Sequence, residues 1–229
     1  MADDRSVQVA AVAALAEPTR RRLYEYVVRR PRPVSRDDVA AALGVPRATT
    51  AFHLDRLVAE GLLDVHYERR TGRTGPGAGR PAKLYRRSDA TVEVTLPQRH
   101  YELAGALLAS AVADAEQSGE RPRAALERRA RERGRELGEA ARMLPGDGRD
   151  AVLRALEGQG FEPRVEDSGI ALANCPFHVL ARTHTELVCG MNLRLLEGVL
   201  DSVPSAHLEA RLQPSPGRCC VRLEPTVAS

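Results

Sequence analysis

The sequence predicts an α+β protein in three stretches, residues 1–90, 91–145 and 146–229. Three observations carry that prediction. The first stretch strings together short amphipathic helices and ends on two β-type segments flanking a glycine-rich loop. The second reads mainly as two long helices. The third runs helix, hairpin, helix, hairpin, and contains all four cysteines of the chain.

In the first stretch, Val9, Val12, Ala13 and Ala16 have helical spacing. Glu17-Pro18-Thr19 interrupts that pattern and opens a second helix, from Pro18 to about Arg29. Proline suits a first turn because its missing N–H would have no partner there. Leu23, Tyr26 and Val27 form its apolar stripe, and Pro31 and Pro33 end it. Ser35, followed by Asp37 and Asp38, reads as an N-cap with acids in the first turn. Val39, Ala40 and Leu43 make a short helix closed by Gly44. The run from Val45 to Thr50 leads into another helix, with Phe52, Leu54, Leu57, Val58 and Leu62 as its apolar positions. Two short helices about a turn containing glycine are a helix-turn-helix. Asp64–Arg70 and Lys83–Arg87 read as strands, and Thr71–Pro81, with glycine at 72, 75, 77 and 79, as the loop between them. The whole is an N-terminal winged helix-turn-helix.

Charge supports a polyanion partner. The formal net charge of +3 conceals a split, +6 over residues 1–90 and −3 over residues 91–229. Arg69–Arg87 holds seven positive side chains and no acid, and Lys83 is the only lysine. Clustered cations repel one another without a partner; membrane phosphates fit that charge as well as nucleic acid, and the winged helix-turn-helix pattern decides for double-stranded DNA. On the presumed recognition helix the polar positions are Arg47, Thr49, Thr50, His53 and Arg56. Residues near its N-terminus face base edges, while hydroxyls and N–H groups hold phosphates. Arg69, Arg70, Arg73, Arg80 and Lys83 put the wing on the backbone or minor groove. Two competing readings stand beside this one: an Arg56–Glu60 ion pair at i,i+4, and a His53 that packs inward.

The runs LAEPTRRRLYEYVVRR, VSRDDVAAALGVPRATTAFHLDRLVAEGLLDV and GRPAKLYRRS, within about residues 10–88, resemble the ArsR-type winged-helix repressors. The resemblance implies a homodimer whose second motif helix enters the major groove of a palindromic operator. Metal-sensing members of that family carry cysteines in the recognition helix; residues 36–62 contain none. Any sensing is therefore expected elsewhere.

In the central stretch, Val92–Leu96 alternates like a short strand or linker. Pro97 to about Glu116 is helical, with Tyr101, Ala104, Leu108, Ala111 and Ala115 in one stripe. Arg121 to about Met143 is a second helix, with Leu126, Ala130, Leu137, Ala141 and Leu144 as a narrow seam. That seam is too poor to bury alone and predicts helix–helix packing or a dimer interface. The rest of this helix is dense in Arg and Glu, and predicts a solvated, salt-bridged face.

The last stretch is a small α+β sensor module. Asp147–Gly158 and Glu186–Val203 read as helices. Phe161–Val165 with Ile170–Asn174, and Ala206–Gln213 with Arg218–Glu224, read as hairpins. Cys175 and His178 have C-x-x-H spacing, with Cys189 on the second helix and Cys219-Cys220 opening the last strand. Strand neighbours point to opposite faces, so at most one of Cys219 and Cys220 is expected at a shared site. Candidate metal ligands are Cys175, His178, Cys189 and Cys219. Thiolates select zinc or an iron–sulfur cluster. Widely spaced single thiols suit a cluster, whereas structural zinc sites favour C-x-x-C knuckles, which are missing here. Buried inert or redox-active thiols are the third reading.

The CPFH…ELVC…CC tail behind an ArsR-like head resembles the SufR-like regulators. That resemblance implies an iron–sulfur cluster in the C-terminal module controlling a repressor. Zinc, or a small-molecule ligand in an apolar C-terminal pocket, is the alternative signal. Cys175 with His178 lacks an orienting third group and an oxyanion device, so no enzyme is expected. No apolar run reaches 18 residues and no secretory leader is read, so the chain is expected to be cytoplasmic and without a membrane partner.

Overall fold

The computed structural model describes residues 2–68, 81–166 and 169–226 of the 229. The chain divides into two compact units, residues 1–94 and 95–229. The architecture is α+β in both.

The first unit runs α1 (Ala2–Ala14), α2 (Pro18–Val28), β1 (Val34–Ser35), α3 (Arg36–Leu43), α4 (Arg47–Ala59), β2 (Leu63–Glu68) and β3 (Ala82–Arg87). Local chemistry sets these boundaries. The Glu17 carboxylate accepts from the backbone N–H of Thr19 at 2.9 Å and of Arg20 at 2.5 Å, with Pro18 inside the first turn. Ser35 caps α3, and Asp38 reaches back to the Ser35 N–H at 3.0 Å, completing a capping box. Gly44 ends α3 at φ +65°, a left-handed conformation that glycine enters without steric cost. Gly44-Val45-Pro46 is then the whole turn of the helix-turn-helix. The sheet has the order β1-β3-β2, antiparallel throughout, with β2 and β3 paired from Leu63↔Arg87 to Glu68↔Ala82. Leu23, Val27, Val39, Leu54, Leu57, Leu63 and Tyr85 fill the core beneath it.

Two apolar assignments differ from expectation. On α1 the buried positions are Ala11 and Ala14, while Val9 and Val12 are exposed. Methyl-sized side chains permit the close approach of α1 to the core. On α4, Phe52 is 66% exposed, because Thr50, Leu54 and Leu57 already occupy the face that meets the core.

The second unit runs α5 (Tyr101–Ser118), α6 (Pro122–Arg142), α7 (Gly148–Gly158), β4 (Pro163–Glu166), β5 (Gly169–Leu172), α8 (His178–Thr183), α9 (Thr185–Ser202), β6 (Leu208–Leu212) and β7 (Val221–Pro225). The two expected hairpins join through β5 and β7 into one antiparallel sheet, β4-β5-β7-β6. The short helix α8 is an addition to the expected elements, and residues 92–96 form no strand.

The central helices share one hydrophobic core with the C-terminal module. The seam of α6 is poor in large side chains because α9 comes very close. A Cβ on Gly138 would stand 2.6 Å from the Val199 carbonyl oxygen, and Gly134 and Gly198 meet backbone of the facing helix more tightly still. The seam is Ala125, Leu126, Ala130, Gly134, Gly138 and Ala141, while Leu144 is half exposed. Several arginines of α6 cross to neighbouring helices. Arg129 donates to Asp114 of α5 at 2.6 and 2.7 Å, and Arg131 to Asp201 of α9 at 2.8 and 2.9 Å.

Candidate functional site

The exposed side of α4 is built by the packing of its other side. Thr50, expected at the DNA surface, is fully buried, and its hydroxyl donates to the Val45 carbonyl at 3.4 Å. It staples the turn to the helix and leaves the solvent-facing set. His53 is also mostly covered, with 12% of its side chain exposed and Nδ1 3.6 Å from the Glu17 carboxylate. The inward reading of His53 is the one the structure adopts.

What remains outward on α4 is Arg47, Ala48, Thr49, Phe52, Asp55, Arg56 and Ala59. Arg47 makes a forked contact with Asp37 of α3, at 2.7 and 2.8 Å. Arg56 pairs with Glu60 at 2.5 Å, one turn on. Both cations are more than half exposed, so these pairs are weak and open to exchange with phosphate.

Lys83 does not stand out from the wing as an unattached cation. Its ammonium donates to Asp55 Oδ1 at 2.5 Å, and the buried Tyr85 hydroxyl donates to the same oxygen at 2.9 Å. Asp55 thereby ties strand β3 to the middle of α4. Burial pushes the Asp55 carboxyl up, but the Lys83 and Tyr85 hydrogen bonds and the lysine charge outweigh it and hold the group below its ordinary range. Sequence reasoning missed this link; a single acid on an otherwise basic face was its only signal. Arg69, Arg70, Arg73 and Arg80 lie outside the described residues.

The second site is the thiol group. Cys175 lies in the loop after β5, Cys189 on α9, and Cys219 and Cys220 in the segment leading into β7. The fold brings them into one neighbourhood as a chain of pairs. The Cys175 thiol interacts with Cys219, the Cys189 thiol with Cys220, and Cys219 with Cys220. Both members of the Cys219-Cys220 pair take part because they precede the strand, where no pleat forces neighbours to opposite faces. His178, the expected fourth ligand, is exposed in the first turn of α8 and is not among the partners of these thiols.

The surroundings hold the thiols through a polar network. Asn192, 1% exposed, donates to Cys219 Sγ at 3.2 Å, while its Oδ1 is buried without a hydrogen-bond partner among the described residues. Arg99 donates to Asn174 Oδ1 at 2.5 Å and to the Cys175 carbonyl at 2.8 Å. Asn174 in turn donates to the Gln98 and Gly160 carbonyls at 2.9 and 2.6 Å. The Cys175 loop is thus fixed from both sides. Contact with Cys219 and then burial push the Cys175 thiol well above its usual range. The Cys175 contact lowers Cys219, but Cys220 and burial outweigh it and push Cys219 up to about 12. As protonated thiols these cysteines are poor nucleophiles.

Soft sulfur donors gathered on three segments suit a thiophilic metal or cluster. Among the described residues, no three His, Cys, Asp or Glu side chains stand as a ready metal-holding group. Ligation therefore requires the thiols to lose protons and draw inward. A cavity of about 270 Å³ opens beside β5 and β7, lined partly by the polar Gln213, Ser215, Arg218 and Arg222.

Residues 15–66 match the family model described as a helix-turn-helix domain. No match to the chain is found among curated proteins. The match covers α2 through most of β2, the same segments that form the motif and its exposed face. The chain therefore carries a DNA-binding helix-turn-helix domain of the kind found in transcription regulators. Among the described residues, no helix is long and apolar enough to cross a membrane.

Proposed function

We propose that the protein is a dimeric winged-helix repressor acting in the cytoplasm, its hold on a palindromic operator set by an iron–sulfur cluster or by the redox state of the thiol group. Helix α4 lies in the major groove, with Arg47, Thr49 and Arg56 on the DNA, while Arg69, Arg70, Arg73 and Arg80 contact the backbone or minor groove from the wing. Arg47 exchanges Asp37 for a phosphate as it docks. Since the α6 seam is filled by α9 of the same chain, the exposed Val7, Val9 and Val12 of α1 are a better surface for the second protomer.

The observation that carries the sensing role is the neighbourhood of Cys175, Cys189, Cys219 and Cys220, with Cys219 held by Asn192, whose Oδ1 is unsatisfied among the described residues. A buried polar atom left without a partner costs stability, and one on the residue that donates to Cys219 favours a site that is completed by something bound. These cysteines would hold the group, which when bound supplies one-electron redox chemistry. Four thiols rather than three also favour a second reading, a zinc site built wholly from cysteine thiolates.

The test is anaerobic purification followed by an ultraviolet–visible spectrum, iron, sulfide and zinc counts, and operator binding before and after reconstitution. Iron and sulfide in equal amounts, with a change in operator affinity, support the cluster. Zinc alone supports the second reading. A metal-free protein whose DNA binding ignores reconstitution and thiol oxidants overturns both.

A further inference from the structure

Phe52 is the one large apolar side chain exposed on α4 among the described residues. At about 100° per residue it projects nearly opposite the buried Thr50, Leu54 and Leu57, at the centre of the outward face. Its neighbours there are small, polar or charged: Ala48, Thr49, Asp55, Arg56 and Ala59. The ring meets the largely covered His53 edge-on, with centroids 5.3 Å apart, so it is backed on one side and open on the other.

A phenyl ring at that position has a narrow chemical choice. It neither donates nor accepts a hydrogen bond, so it gains nothing from the N7, O6, N6, N4 or O4 groups of the major groove. The only apolar group on those edges is the thymine C5-methyl. We propose that Phe52 is a specificity-determining residue that packs on a thymine methyl in each half-site. This rests on the reading of α4 as the groove-bound helix and deepens it. The charged residues beside Phe52 hold phosphates or pair within the domain, and so leave base choice at this position to the ring.

The expected size follows from burial of one methyl group, about four-fold in affinity per half-site and roughly fifteen-fold for a symmetric site of two. The test uses the full-length protein. Duplexes are selected from a randomised pool, and each thymine of the selected duplex is then replaced by uracil, which lacks only the methyl. The expected result is one position per half-site at which uracil weakens binding about four-fold. At that position Phe52→Ala binds thymine and uracil equally, while Phe52→Leu keeps the preference. Replacing the thymine–adenine pair with 5-methylcytosine–guanine should retain more affinity than unmethylated cytosine–guanine in the parent protein alone. Matching thermal unfolding of Phe52→Ala and parent separates this effect from misfolding. Tolerance of uracil at every position, or a uracil effect that persists in Phe52→Ala, overturns the proposal while leaving the regulator reading intact. Failure to enrich any duplex overturns both.

Discussion

Substituting Gly138 by Ala tests the account of the second unit most directly. The added Cβ would lie 2.6 Å from the Val199 carbonyl oxygen, 3.0 Å from Ser202 Cβ and 3.2 Å from Val199 Cα. Two of these atoms are not flexible side-chain ends: one is the carbonyl oxygen of α9 and the other its Cα. Relief therefore requires the two helices to part by several tenths of an ångström along a packed seam. Overpacking of this kind costs about 1–3 kcal/mol, and a rigid backbone neighbour places it at the upper end. Alanine gains about 1 kcal/mol in helix propensity over glycine. The net is a destabilisation of about 2 kcal/mol.

Gly190 on α9 is the control. Its added Cβ would meet only the far ends of Arg123 and Glu127, at 3.7 and 3.8 Å. There the propensity gain stands alone, about 0.5–1 kcal/mol of stabilisation. Scanning calorimetry of the full chain should show the second unit melting about 6 °C lower for Gly138→Ala and about 3 °C higher for Gly190→Ala. Because Cys189 and Asn192 ride on α9, Gly138→Ala should also raise the rate at which a thiol reagent titrates the cysteines. Equal shifts of the same sign for both variants would refute the claim that backbone contact, rather than helix propensity, decides the α6–α9 seam.

Three further outcomes follow from the first unit. Ser35→Ala removes the hydroxyl of the capping box and should lower its stability by about 1 kcal/mol in denaturant unfolding. Asp55 is held below its ordinary range in the folded chain, so its contribution is present above the unfolded carboxyl value, near 4, and lost as pH falls through the lower folded value. Thermal melts from pH 7 down to pH 3 should therefore show a steeper acid loss for the parent than for Asp55→Asn. Arg47→Ala should weaken binding to the selected duplex across sequences and flatten the salt dependence by about one unit of slope, read from binding curves at several salt concentrations.

Local chemistry was legible in the helix caps of the first unit. Pro18 at a first turn, the Ser35 cap and the left-handed Gly44 each act over a few neighbours, so the sequence displays them directly. Side-chain environment was less so. Thr50 looked like a DNA contact because it is polar, and Phe52 like core because it is apolar; helix phase and the volume available under α4 reverse both. The Asp55 link to Lys83 and Tyr85 joins residues 28 and 30 positions apart, which no local pattern reports.

The sequence by itself determined that this is an α+β chain with an N-terminal helix-turn-helix, because capping, periodicity and turn preference are short-range effects written in consecutive residues. It also marked the cysteines of the last stretch as candidates for one site. Only the tertiary structure decided which face of α4 is free, why the α6 seam is so thin, and that His178 is exposed while Cys220 lies near Cys189 and Cys219. Those are matters of how closely helices approach and where a strand begins to pleat, and they depend on contacts between residues far apart in the chain.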